Sequence, residues 1–424
     1  ITFNPYAQPQ HAPKSSNLPS QQLHAYPQVD HSQARQQRQP REQREPRNRT
    51  TQAVAPTHQK PKSELLLSFL DQPQKAWQLE DIKGSIVEFS QDQDGSRLIQ
   101  RFMEDGTITS AVTIFGEVKP ALRELVTDVF GNYVVQKLLE SGIREIREEV
   151  VQSMRGDVLT LSLQTYGCRV VQKAFDHVDF PQQLQLAAEL DGSVPQCVLN
   201  QNANHVIQKC IERMPENCQF IIDSFKNRVL ELSCHAYGCR VLQRVFEKCH
   251  NPAQLQDLLD EVLRNTIALV ADQYGNYVVQ HALINSPRHI QAEIIRMLAP
   301  QIKDLACSKF ASNVAEKIFE HSSTTELSYL LKLLMQVDAS GTSALVCMMQ
   351  DQFANYVVQR LIKVATPQQR QDIVEHVTPR IGSIRKYTYG RHILARLEKM
   401  GLLAATSDNH HRMQPQHGAQ QDPN

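Results

Sequence analysis

The sequence is most informative first in what it lacks. None of its nine cysteines forms a CxxC pair and the count is odd, so a disulfide framework is not indicated and a reducing compartment, by default the cytoplasm, is expected. No secretory leader is recognisable, and no apolar run approaches the ~20 residues a membrane helix needs. The chain opens on Ile1 rather than Met, which reads as a fragment. No glycine-rich phosphate loop occurs, carboxylates are scattered, and Cys168 and Cys239 have no neighbouring base in the motifs that hold them, so catalysis is not expected. Cys197, Cys210 and His205 fit no metal spacing, nor do His410 and His411, so neither a metal nor any other cofactor is expected.

Excess charge of one sign is also missing, with 45 basic and 45 acidic side chains. The balance is uneven along the chain: residues 1–62 hold nine basic and three acidic groups, leaving residues 63–424 at −6. A polyanion site on the latter part therefore requires positive charge segregated onto one face. Residues 1–62, rich in Gln, Pro, Ser and His, carry too few large apolar groups to offset ordering entropy and read as a disordered tail, as do residues 402–424. Arg35, Arg38, Arg41, Arg44 and Arg47, with Arg49, make a basic strip in the first tail, either a solvated linker or a phosphate or import-receptor contact.

What is present is a repeat. A five-residue motif recurs as Ser96-Arg97-Leu98-Ile99-Gln100, Asn132-Tyr133-Val134-Val135-Gln136, Cys168-Arg169-Val170-Val171-Gln172 and Asn204-His205-Val206-Ile207-Gln208. It continues as Cys239-Arg240-Val241-Leu242-Gln243, Asn276-Tyr277-Val278-Val279-Gln280, Ser312-Asn313-Val314-Ala315-Glu316 and Asn355-Tyr356-Val357-Val358-Gln359. The closing residues are 36, 36, 36, 35, 37, 36 and 43 apart, the last interval stretched by an insert around residues 338–343, and a degenerate ninth unit, Arg391-His392-Ile393-Leu394-Ala395, follows. Such a period is the mark of stacked helical units.

Turn and capping signals such as Asp128-Val129-Phe130-Gly131 place each motif early in a helix. The first and fifth residues then lie side by side on one face, and the aliphatic third and fourth face the neighbouring unit. The second residue and the one after the motif form an adjoining stripe; the latter is Arg101, Lys137, Lys173, Lys209, Arg244, His281, Lys317 or Arg360, which would supply the segregated positive face. Together these predict an all-α solenoid with one concave ladder, capped by residues 63–77 and 389–403. Residues 106–116, with Thr107, Thr109, Val112 and Thr113, are weak helix formers, a departure within the first unit.

Polar residues on a solenoid can also grip an extended peptide, and a protein-binding scaffold is the rival reading. Backbone binding wants the same Asn throughout, whereas the first position here varies while the fifth stays Gln until Glu316. Arg97, Tyr133, Arg169, His205, Arg240, Tyr277 and Tyr356 supply flat or aromatic groups at seven of the eight second positions, with Asn313 at the other, and such planes stack on unpaired bases.

These units resemble those of the Pumilio/FBF (Puf) family over residues 63–401, including the long insert before the last unit and Lys386-Tyr387-Thr388-Tyr389-Gly390 after it. The resemblance implies a right-handed superhelix of eight three-helix Pumilio repeats, acting as a monomer in the cytoplasm. It implies binding to single-stranded RNA in mRNA 3′ untranslated regions, with repression and decay through deadenylase and other repressor proteins. By resemblance Asn with Gln holds uracil, Ser or Cys with Gln holds adenine, and Ser with Glu holds guanine; an ionised Glu can only accept, which suits the N1–H and N2–H₂ donors of guanine. The RNA runs antiparallel to the protein in this family, so the implied site is 5′-UGUAUAUA-3′, read from Asn355/Gln359 back to Ser96/Gln100. The fourth unit departs in having Ala203 where the family has Gly.

Overall fold

Three short helices recur along the chain, each bearing an apolar stripe too narrow to be buried alone. In the second repeat these are Leu122–Thr127, Gly131–Glu140 and Arg144–Met154. Leu122, Leu125 and Val126 on the first, Val134, Val135, Leu138 and Leu139 on the second, and Ile146, Val150 and Met154 on the third are all buried, the spacing of one helical face. The computed structural model describes residues 61–403, apart from 73, 106 and 107. Among the described residues the regular elements are helices, and one isolated antiparallel bridge joins Val337 to Ser343. The arginine strip, His410, His411 and nearly all of both expected tails lie outside the described residues.

The motif helices are Gln93–Asp105, Gly131–Glu140, Gly167–His177, Ala203–Arg213, Gly238–Lys248, Gly275–Asn285, Ala311–His321 and Ala354–Val364. Each packs on the next in one unbroken row, and Thr388–Lys399 covers the last. Consecutive repeats touch most closely along this row, which makes it the inner side of an all-α solenoid with one continuous core. The hairpin into each motif helix is tight: a Cβ added to Gly167 would meet the Leu161 carbonyl oxygen at 2.7 Å. Ala203 holds the equivalent site in the fourth repeat and is fully buried.

At the N-terminal end the Ser63 hydroxyl accepts from the N–H of Leu66 and starts Glu64–Asp71. Phe69 on that helix packs between Trp77, at 5.5 Å between ring centroids, and Phe89 of the first repeat, at 5.3 Å. In the first, third and fifth repeats the end of the repeat's third helical segment ties down the first. Glu117 accepts from the N–H groups of Gly84 and Ile86, Glu189 from Gly156 and Val158, and Glu261 from Asn227 and Val229. Gly84, Gly156 and Asn227 have φ of +82°, +82° and +62°, a turn that presents two N–H groups to one carboxylate.

Local departures have local causes. Of the weak helix formers at 106–116, residues 106 and 107 lie outside the described residues, and the rest nevertheless fall in the helix Ile108–Val118, because Ala111, Ile114 and Val118 are buried and packing outweighs propensity. In the fourth repeat, Pro215 opens a 3₁₀ turn, Pro215–Asn217, and only Gln219–Asp223 is α-helical after it. In contrast, Pro252–Ala271 runs unbroken for 20 residues from the fifth repeat into the sixth. The insert at 338–343 is a tight turn in which Asp338 Oδ1 accepts from the Ser340 and Thr342 N–H groups. Among the described residues no helix is long and apolar enough to cross a membrane.

Candidate nucleic-acid interface

From the second repeat on, each motif starts one residue inside its helix, and in six of the eight repeats a side chain four residues before the motif caps the turn. Asp128 Oδ1 accepts from Phe130 N–H at 2.9 Å and Gly131 N–H at 2.6 Å. Asp272 and Asp351 repeat this, and Asp92, Asn200 and the ring nitrogen of His235 serve the same purpose. Fixing the helix start fixes which residues face inward.

The first and fifth motif residues meet, at different depths. Asn132, Asn204, Asn276 and Asn355 are at most 3% exposed. Asn132 Nδ2 donates to the carbonyls of Asp128 and Val129 at 2.9 and 3.0 Å, and Gln136 Nε2 donates to Asn132 Oδ1 at 2.9 Å. Gln208, Gln280 and Gln359 reach Asn204, Asn276 and Asn355 likewise, at 3.0, 3.0 and 3.3 Å. Where the first residue is short, its side chain turns to the carbonyl three residues back, as for Ser96, Cys168, Cys239 and Ser312. Gln100 and Gln172 then donate to the backbone carbonyls of Ser96 and Cys168. Gln243 is half-buried like the rest. The small residue thus forms the floor, and the fifth stands over it. Burial pushes the Cys168 and Cys239 thiols up, so both remain neutral thiols at neutral pH.

The second residues form an exposed row. Arg97, Tyr133, Arg169, His205, Arg240, Tyr277 and Tyr356 are all exposed, and Asn313 is half-buried. Tyr133, Tyr277 and Tyr356 show 52, 44 and 64% of their surface on helices whose third and fourth motif residues show at most 1%. Consecutive members are neighbours: His205 is held below its ordinary pKa by burial and by the charges of Arg169 and Arg240 on either side, so its ring is a neutral plane at pH 7.

The segregated positive face does not form. Seven of the eight residues expected to make it, all but Arg101, are met by carboxylates that stand four residues after a fifth motif position. Lys137 lies 2.6 Å from Glu104 of the previous repeat and 3.1 Å from Glu140 of its own, and Lys173 lies 2.6 Å from Glu140. Asp176 and Glu212 flank Lys209, Glu212 and Glu247 flank Arg244, and Glu247 meets His281 at 3.0 Å. Lys317 pairs with Glu320. The result is a ladder of alternating sign that crosses from repeat to repeat. Arg101 is exposed and is paired with no carboxylate among the described residues. The acidic rungs Glu104, Glu140, Asp176, Glu212, Glu247 and Glu320 were the missed half of the pattern, and their fixed spacing was the available signal.

At the C-terminal end the ladder touches the fifth motif residues themselves. Arg360 Nε and Nη2 donate to Glu316 Oε1 at 2.8 and 2.6 Å while Nη1 lies 2.7 Å from Glu320. Arg396, the equivalent residue of the degenerate ninth unit, donates to Gln359 Oε1 at 3.4 Å. Among the described residues no group of three or more His, Cys, Asp or Glu side chains is arranged to hold a metal, and Cys197 and Cys210 are buried while His205 faces out.

Comparison with known proteins matches this geometry. The sequence profile of the Pumilio-family RNA binding repeat fits residues 85–118, 122–154, 157–190, 194–224, 228–263, 265–299, 301–335 and 345–378. A Pumilio domain-containing protein of Schizosaccharomyces pombe is 35% identical over 318 residues, 74% of this chain and 46% of that protein. Pumilio homolog 1 of Xenopus laevis is 44% identical over 341 residues, 80% of this chain and 29% of its own length. The chain thus spans less than half the length of either relative. The Puf3 RNA binding domain, solved bound to a Cox17 RNA 3′ UTR recognition sequence, superimposes with a TM-score of 0.71 at 36% identity, covering 78% of this chain and 99% of that one.

Proposed function

The chain belongs to the Pumilio family of RNA-binding repeat proteins, and from that premise we propose that it binds single-stranded RNA sequence-specifically, one base to each repeat. Repeats of this family are themselves the standing example of such a code, with two or three side chains per base. The fifth motif residue and the first beneath it read the base edge, and the second stacks on the base face. The observation that carries this is the pairing of an exposed row of planar side chains, present on seven of eight helices, with an adjoining row of half-buried Gln and Glu in register through all eight. Size complementarity supports the assignments: Asn fills the floor under uracil, while Ser and Cys leave room for the larger adenine or guanine.

Read antiparallel, Asn355/Gln359 takes U, Ser312/Glu316 takes G, Asn276/Gln280 takes U and Cys239/Gln243 takes A. Asn204/Gln208, Cys168/Gln172, Asn132/Gln136 and Ser96/Gln100 take U, A, U and A, giving 5′-UGUAUAUA-3′. The cations after the motifs act through the balance of the ladder rather than as bare phosphate clamps, because carboxylates neutralise all but Arg101 among the described residues. Residues 63–401 constitute the RNA-binding unit, a monomer, with residues 1–62 and 402–424 as tails. Targets are cytoplasmic messages bound in their 3′ untranslated regions, as in the Puf3 complex, and repression follows from deadenylase or repressor proteins recruited to the bound RNA. Selection from a random RNA library with residues 63–401 tests the reading: enrichment of UGUAUAUA supports it, and enrichment of no common sequence refutes it.

A further inference from the structure

The row of planes has two outer faces that eight bases leave unused, one at each end. Arg97, Tyr133, Arg169, His205, Arg240, Tyr277, Asn313 and Tyr356 are followed by exposed His392 of the ninth unit, so nine second-position residues enclose eight intervals. Eight bases fill those intervals and leave the outer face of Arg97 unused. That face borders a hollow of about 480 Å³ between the N-terminal capping helix and the first motif helix. Its floor is Phe69 and Leu70, its sides are Arg97, Gln100 and Arg101, and Arg97 Nη1 is held at 3.2 Å by Asp94. The ladder also ends here. A preceding repeat would have offered Arg101 a carboxylate; the capping helix offers Leu70 and Phe69 instead, and Arg101 meets no carboxylate among the described residues.

We propose that this hollow binds a ninth nucleotide immediately 3′ of the eight-base site, with its base stacked between the Arg97 guanidinium and the Phe69/Leu70 floor and its phosphate beside Arg101. A base lying against a guanidinium plane and an apolar floor gains stacking with little edge readout, so the subsite favours a purine by area and tolerates any base. An exposed cation with an adjacent apolar floor suits a nucleotide, which brings an anion and a flat apolar face together. The inference rests on the one-base-per-repeat reading and its antiparallel polarity, since only then does the first repeat hold the 3′ end.

The test compares UGUAUAUA with the same RNA carrying a 3′ adenosine or a 3′ abasic nucleotide, by fluorescence anisotropy on the wild type and on Leu70→Glu. The expected result is a gain of about tenfold for the adenosine nine-mer over both the eight-mer and the abasic nine-mer, within the range of a single stacked base. Leu70→Glu is expected to remove that gain and leave eight-mer affinity unchanged. Equal affinities for all three RNAs on the wild type, or a full gain from the abasic nine-mer, overturn the subsite while leaving the eight-base reading intact. No binding of the eight-mer overturns that reading and the subsite with it.

Discussion

Replacing Ser312 by Asn and Glu316 by Gln should turn the second RNA base from guanine to uracil, and the geometry of the other repeats says why. In the second, sixth and eighth repeats the Asn is anchored by Nδ2 to the carbonyls four and three residues earlier, at 2.8 to 3.0 Å. In the seventh repeat the same carbonyls belong to Ser308 and Lys309. They already receive the Ser312 N–H at 3.1 Å and its hydroxyl at 3.4 Å, so an Asn there finds its anchors in place. Arg360 loses the Glu316 carboxylate but keeps Glu320 at 2.7 Å, and the cross-repeat pairing survives. A base read by two hydrogen bonds is discriminated by about 1–3 kcal/mol. Guanine, deprived of the carboxylate, should therefore weaken by about 10-fold or more, and uracil should strengthen by a similar factor. Fluorescence anisotropy at constant salt with four RNAs differing only at the second base measures both changes. A double variant that folds and still prefers guanine refutes the reasoning.

Tyr277→Ala should lower affinity for every RNA by about 1–3 kcal/mol without altering base preference at the flanking positions, as loss of a stacking plane requires; a changed preference in anisotropy competition would place Tyr277 at a base edge. Lys137→Ala leaves Glu104 unopposed and Glu140 held by Lys173 alone, and should weaken all RNAs alike, by about 0.5–1 kcal/mol, more at low salt than at high in a salt titration. Glu261→Ala strips the N–H groups of Asn227 and buried Val229 of their acceptor and should cost about 1–3 kcal/mol, read by urea unfolding; no change in midpoint would refute the capping role. Burial pushes the Glu140 and Asp176 carboxyls up, but Lys173 and Lys137 beside one and Arg213 and Lys209 beside the other hold both below the usual carboxylate range. With folded pKa values below the unfolded ones, their stabilisation is present above that range and is lost as pH falls through it, so thermal midpoints should drop between about pH 5 and pH 3.

The helical architecture was legible because two periods coincide in the sequence: apolar residues at helical spacing and a motif every 36 residues or so. The inward-facing set was legible too, since Asp128, Asp272 and Asp351 announce where their helices start. Depth was not. That Asn132 lies beneath Gln136 depends on how close the next helix comes, which no single-helix pattern encodes. The positive stripe was misjudged for the same reason. Its partners lie one turn further along the same helix and on the preceding repeat, so their proximity appears only on stacking. The helix over 108–116 turned on burial rather than propensity.

The uninterrupted helix Pro252–Ala271 contrasts with the broken segment that precedes it at 215–223. Stacked units joined only by short loops can come apart at a single interface, but a rod of 20 residues shared by the fifth and sixth forces those two to open together. Amide exchange should therefore be slowest and most uniform across this pair and faster in the fourth unit. If each repeat holds one base, as proposed, the same contrast would set the tempo of capture: the stiff pair would offer a fixed ruler for two nucleotides, while the softer unit beside it would take up any mismatch between the pitch of protein and strand.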